Sequence, residues 1–339
     1  MNDMTSVAKR FVDLKYEIDC LGRIFPCAIP NDLHGSACGG EYGPELPYSF
    51  ISNIIPFMSM VDFSSGERFI SLVPTSLTLG CSWRIWPDPN INKEEALLIY
   101  NTLNSDYEVD STSYTYIPEL EIYIPHEGKN RVNFCRYHGF DYIKAKVETA
   151  HYPSPDRIKI YYVLIPGGVD VWAVLDGKYM QKINHYAYAL PFMRQYGVEI
   201  FDGWPDSYPD ISTIVKFSKK EYTNHDNLHN LNNVINLDKI TQKIQLKQEL
   251  EKWGDEYVNC SLMDINLSLN RFGFGLIFLF VLMMVTIQFL DLYLDVVIFS
   301  LFLMMTFVFS VFSPIFKEKR KNLRTFEKDV FIYSQSLSG

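Results

Sequence analysis

Cys135-Arg-Tyr-His138 has the C-x-x-H spacing of half a metal site, since two such ligands three residues apart can close on one tetrahedral ion. No second C-x-x-C or H-x-x-x-H stands at the distance needed to complete a zinc module. Glu221, His225 and His229 recur every fourth residue and would converge on one face of a helix, but the asparagines of KKEYTNHDNLHNLNN disfavour helix there. Both groups therefore read as ordinary core or surface side chains, and neither a metal nor a cofactor is assigned. No G-x-S-x-G elbow accompanies the serines, and no Cys-His pair sits in a context that lowers a thiol pKa. Glu94 and Glu95 are adjacent, so on a helix they cannot face each other and serve as first-turn acids rather than as an acid/base pair. No catalytic residue follows, and the chain is expected not to be an enzyme. One polar pocket uniting His138 with His185 would reverse that expectation.

What remains is chemistry of recognition. Pro166-Gly167-Gly168-Val169-Asp170-Val171-Trp172 lies between two alternating apolar runs. Successive glycines permit positive φ, and a strand rather than a helix follows them, so a tight hairpin is expected and a phosphate-cradling loop is not. Trp204-Pro-Asp-Ser-Tyr-Pro-Asp210 displays aromatics among Pro and Asp, the composition of an interface loop. Trp204, Tyr208 and Trp172 are the candidate partner-binding residues.

The stretch IYYVLIPGGVDVWAVLDG, preceded by PTSLTLGCSWRIWPDP and a short acid-capped helix, resembles an uncharacterised bacterial lipoprotein family often encoded beside type VI secretion effectors. The resemblance covers about residues 70–180. It implies a protein-binding role, and in its most specific form an immunity protein that binds and blocks a cognate toxin, as in a toxin-antitoxin pair. The chain departs from that family in having no lipoprotein signal and no N-terminal cysteine for lipid modification, so the family's periplasmic role does not carry over.

The elements that must position these residues are mostly strands. Phe50–Phe63, Arg68–Val73, Ser76–Ile85, Tyr114–Tyr123, Tyr142–Thr149, Arg157–Ile165, Val169–Leu175 and Ile211–Phe217 are rich in Ile, Val, Tyr, Phe and Thr and bounded by turn formers. One helix is clear, from Asn90 or Asn92 to Leu103, with a second starting near Tyr186 and weakened by Pro191. The expected class is α+β: a β-rich, mostly antiparallel soluble domain over residues 1–217, followed by a two-helix transmembrane hairpin. Between them come an Asn-rich linker at 218–236 and an amphipathic helix with a juxtamembrane segment at 237–270, whose Lys239, Lys243 and Lys247 recur every four residues.

The hairpin is expected over 271–316, as apolar runs Phe272–Leu290 and Val296–Phe316 of a length that matches a bilayer core. Asp291 and Asp295 lie between the runs, whereas Lys317, Lys319, Arg320, Lys321 and Arg324 follow them in a basic tail at 317–339. That asymmetry predicts a multi-pass protein of a bacterial inner membrane with both termini cytoplasmic, and the lipid bilayer as a partner. Gln288 offers a hydrogen bond between helices or protomers, hence a homo-oligomer through the hairpin. The net charge of −9 excludes nucleic acid as a natural partner. Two functions fit this plan: an anchored protein-binding module, or a membrane-disrupting effector whose hairpin oligomerises in the bilayer.

Overall fold

The structure, a computed structural model, describes residues 4–38, 41–64, 66–81, 90–165, 167–219, 234–261, 264–265, 313–314 and 316–330, with positions 281, 285, 298, 299, 302, 303, 305, 306 and 309. In chain order the elements begin with α1 (Met4–Ile24), β1 (His34–Cys38), β2 (Glu41–Pro44), α2 (Pro47–Ile54), β3 (Arg68–Pro74) and α3 (Lys93–Leu103). There follow β4 (Ser113–Ile117), β5 (Ile122–Glu127), α4 (Lys129–His138), β6 (Tyr142–Thr149), β7 (Ile158–Ile165), β8 (Gly168–Leu175) and β9 (Tyr179–Lys182). The last are α5 (Tyr186–Tyr196), β10 (Glu199–Asp202), α6 (Ile211–Lys219), β11 (Ile235–Asn236), α7 (Leu237–Asp255), β12 (Tyr257–Cys260) and β13 (Phe316–Lys319). The chain divides into two compact units, Met1–Ile240 and Thr241–Gly339.

The first unit is α+β with mixed sheets. A five-stranded sheet runs β10-β7-β8-β9-β11 and a four-stranded one β3-β6-β4-β5. The β10–β7 and β4–β6 pairs are parallel. The other pairs within these sheets are antiparallel. Buried positions Val7, Ala8, Phe11, Val12, Lys15, Ile18, Asp19 and Gly22 stripe one side of α1 at helical spacing. Phe11 meets Phe50 of α2 at 5.7 Å and Phe192 of α5 at 5.2 Å. This core rests on Ile158, Ile160, Val171, Ala173 and Leu175, one face of the five-stranded sheet, and also takes Ile117, Ile122 and Ile124 from the four-stranded one. A second, smaller core joins Val73, Tyr114, Ile143 and Val147 to Val132 and Cys135 of α4.

Three of the expected strands are something else. Phe50–Phe63 is the end of α2 and a 3-10 turn, started by Pro47 in the first turn, where its missing N–H costs nothing. Ile211–Phe217 is α6. The Asp210 carboxylate accepts from the Ser212 N–H at 2.8 Å and the Thr213 N–H at 3.3 Å, so an N-cap overrides the β-propensity of Ile, Thr and Val. Ser76–Ile85 contributes only a 3-10 turn at Thr75–Leu77 and a bridge from Thr78 to Tyr123, with residues 82–89 outside the described residues. The helix at Tyr186 forms in spite of Pro191.

The transmembrane hairpin is corrected: among the described residues no helix is long and apolar enough to cross a membrane. Phe272, Gln288, Leu290 and Val296 lie outside the described residues, and so does the oligomer expected through Gln288. The multi-pass inner-membrane localisation and its topology fall with the hairpin. Phe316, expected to end a membrane span, instead opens β13, which pairs antiparallel with β12 from Cys260↔Phe316 to Tyr257↔Lys319.

This ribbon belongs to the second unit, where three of the bases expected to face lipid, Lys319, Arg320 and Lys321, are paired with carboxylates. Asp255 binds Lys321 at 2.8 Å and Lys319 at 3.2 Å, and these hydrogen bonds hold its carboxyl below the usual carboxylate range. Arg320 pairs with Glu256 at 3.3 Å and lies 4.4 Å over the Trp253 ring, which stacks on Phe326. Lys317 sits in β13 opposite Asn259, and the Arg324 N–H donates to the Asp264 carbonyl at 2.8 Å.

Candidate functional site: an aromatic recess beside the β7–β8 hairpin

Alternation along β7 and β8 gives the five-stranded sheet two apolar faces. Ile158, Ile160, Val171 and Ala173 enter the core. On the opposite face the register places Tyr161 across from Trp172, Val163 across from Asp170, and Trp172 across from Lys182 of β9. Residues 201–219 cover part of that face. Phe201 stacks on Tyr161 at 5.6 Å, and Trp204 stands edge-on to Tyr161 at 5.3 Å. Tyr208 packs 5.4 Å from Trp204, whose indole N–H donates to the Pro209 carbonyl at 3.0 Å. Ile214 of α6 is completely buried.

The cover is incomplete. Between the hairpin and α6 lies a recess of about 780 Å³, walled by Val163, Ile165, Trp172, Trp204, Ile211 and Val215. Trp172 is 5 % exposed and forms its floor. Lys182 reaches Asp170 at 2.7 Å and lies 5.8 Å over the Trp172 ring, so the ammonium carries two interactions at the recess edge. Burial raises the Tyr161 and Tyr208 phenols, which stay protonated at neutral pH. The arrangement can desolvate an apolar group against aromatic walls, with Asp170, Lys182, Asp210 and Lys216 lining the same recess.

The hairpin extends past its own core. Leu164 is 82 % and Ile165 40 % exposed, on opposite faces of β7 just before the turn. Gly167 adopts φ +93°, the left-handed conformation that glycine takes without strain. The tip is therefore a narrow apolar finger with Ile165 on the side of the recess and Leu164 on the other.

Of the three residues expected to bind a partner, Trp172 and Trp204 wall the same recess although they are far apart in sequence. Tyr208 packs behind Trp204 instead. Val163, Ile165, Asp170 and Lys182 were not singled out from sequence. The signal was there in Val163-Leu-Ile165, an apolar run that stops alternating where the hairpin leaves the core.

The histidines stay apart from this site. Cys135 is buried under the four-stranded sheet, where burial pushes its thiol up to about 12, and His138 packs on Phe134 at 4.6 Å. His185 pairs with Asp32 at 2.7 Å. Neither histidine lines this recess. Among the described residues no group of three or more His, Cys, Asp or Glu could hold a metal ion, and Glu221, His225 and His229 lie outside them. No family model matches the chain, and neither does any curated protein or solved structure.

Proposed function

We propose that the chain is a protein-binding module that seats an apolar side chain of its partner in the recess between Trp172 and Trp204. The observation that carries this reading is the pairing of an open cavity walled by two tryptophans with the half-exposed apolar side chain of Ile165 at its mouth. Buried tryptophan floors rimmed by weaker contacts are where binding energy concentrates in protein interfaces. The finger and the Trp172 floor also belong to the stretch that resembles the immunity-associated lipoprotein family. Capture of a bacterial toxin is accordingly the most specific form of the proposal.

The test is selection of displayed random peptides on the full chain, followed by binding to the variant Ile165→Asp. Ile165 is exposed enough for a charge to leave the fold intact. Peptides with an aromatic or aliphatic anchor, weakened at least tenfold by Ile165→Asp, support the reading. Peptides that bind both proteins equally sink it.

A further inference from the structure

The outer edge of the four-stranded sheet is defined down to single backbone groups. The Thr149 N–H donates to the Glu67 carbonyl at 3.1 Å and the Thr75 N–H to the Asp141 carbonyl at 2.8 Å. Between these ends Phe69 pairs with Val147, Ser71 with Ala145 and Val73 with Ile143. Antiparallel strands alternate residues that bond the neighbour with residues that face away. The odd positions of β3 thus bond β6, and Arg68, Ile70 and Leu72 turn their backbone groups outward, whereas Pro74 has no N–H and its carbonyl accepts from the Thr78 hydroxyl at 2.7 Å. Among the described residues no strand pairs with that side.

The usual guards of a free edge are also missing before Pro74: β3 has no bulge, no internal proline and no lysine. Ile70 and Leu72 are 55 % and 60 % exposed, on the same face as Arg68. Arg68 uses Nε and Nη2 on a single oxygen, Oε1 of Glu148, at 3.2 and 2.9 Å. Its side chain is 79 % exposed, so the rest of the guanidinium fork is open to a second carboxylate. Beside it a recess of about 570 Å³, lined by Arg68, Ile70, His126 and Lys146 among others, leaves room on that face.

We infer that the β3 edge accepts an extended segment of a partner protein as a fifth strand, with apolar side chains beside Leu72 and Ile70 and an acidic one beside Arg68. Main-chain hydrogen bonds would supply affinity, and the three side chains specificity and direction. Charge complementarity selects this occupant over a second copy of the chain. The outward positions of β3 are Arg68, Ile70 and Leu72, so a paired β3 has no carboxylate to offer Arg68. This surface lies on the other sheet and makes no use of the Trp172 recess.

The probe is a labelled, capped hexapeptide, Thr-Val-Thr-Val-Thr-Glu, titrated against the full chain by fluorescence anisotropy. Antiparallel addition puts its valines beside Leu72 and Ile70 and its glutamate beside Arg68. Saturable binding is expected, weakened about tenfold or more by Arg68→Glu, restored to that variant by a Lys-ended peptide, and unchanged by Ile165→Asp. A peptide N-methylated at the valine beside Ile70 should not bind, because the methyl occupies the position of a ladder hydrogen bond. Absence of saturable binding, failure of the charge swap, or equal binding of the methylated peptide would overturn the inference. So would a dimer in sedimentation that Ile70→Asp dissociates, since a second copy would then cover the edge.

Discussion

Trp204 meets the ring of Tyr161 edge-on at 5.3 Å, and through that contact a loop outside the sheet becomes a wall of the recess over β7 and β8. The Trp204 indole N–H is already satisfied by the Pro209 carbonyl, so the ring contributes its surface rather than a donor. Replacing Trp204 with Ala should remove one wall and the O-ring it forms. Peptides selected on the full chain should bind this variant at least tenfold more weakly, while its far-ultraviolet circular dichroism stays unchanged. Retained affinity would mean that the ligand does not touch this wall.

Lys15 and Asp19 on α1 form an ion pair with contacts of 2.5 and 2.6 Å and side-chain exposures of 0 % and 3 %. Burial pushes the Asp19 carboxyl up to about 6 against the pull of Lys15. Asp19→Asn strands a buried ammonium and should cost about 3–5 kcal/mol, whereas the double change Lys15→Met with Asp19→Leu should be near neutral or stabilising. Urea unfolding of the two variants measures both.

The same pair sets a pH dependence of definite sign. A carboxyl whose folded pKa exceeds its unfolded value holds its proton more tightly when folded, so its contribution favours folding below about pH 4 and is lost as pH rises through about 6. The stability difference between wild type and the double variant should therefore shift toward wild type as the pH is lowered from 7 to 4.5. A difference independent of pH would show that Asp19 does not titrate in that window.

Gly80 approaches the α4 side chain of Asn133 so closely that an added Cβ would lie 1.8 Å from Asn133 Oδ1. Asn133 is buried at 1 % exposure, so it has little freedom to retreat. Gly80→Ala should destabilise by about 1–3 kcal/mol, as overpacking of a closed site does, and thermal unfolding reads it. No change would mean that the loop carrying Gly80 yields.

Five described cysteines are free thiols, and their surroundings differ. Cys27 is exposed, whereas burial pushes the Cys81 thiol up to about 11 and that of Cys135 to about 12. Site-resolved mass spectrometry after a short pulse of thiol reagent should find Cys27 modified and Cys81 and Cys135 untouched until urea unfolds the chain. Early labelling of Cys135 would contradict the packing of the second core.

The legible parts of the sequence were those in which local pattern and tertiary packing agree. Alternation in Arg157–Ile165 and Val169–Leu175 around two glycines marked the β7–β8 hairpin, and Asn92 marked α3, where its side chain accepts from the Glu95 N–H at 2.9 Å. α1 escaped because Lys15 and Asp19 interrupt its apolar stripe, and only their mutual pairing makes them core residues. α6 escaped because its β-branched residues outweighed the Asp210 cap. The apolar composition of 272–316 suggested membrane spans, yet among the described residues no helix of that length and character is found. At the site, the tryptophans stood out by type. Their shared recess did not, because it depends on which face of a sheet a distant loop covers.

The most direct test of the recess as the docking site is photo-crosslinking with a benzophenone amino acid at position 165, at the mouth, or at the 87 % exposed position 107. A peptide selected on the full chain is added and irradiated, and adducts are located by mass spectrometry. Docking in the recess predicts a saturable adduct from position 165, competed by unlabelled peptide, and none from position 107. Crosslinking from position 107 alone, or from both positions without competition, would contradict it.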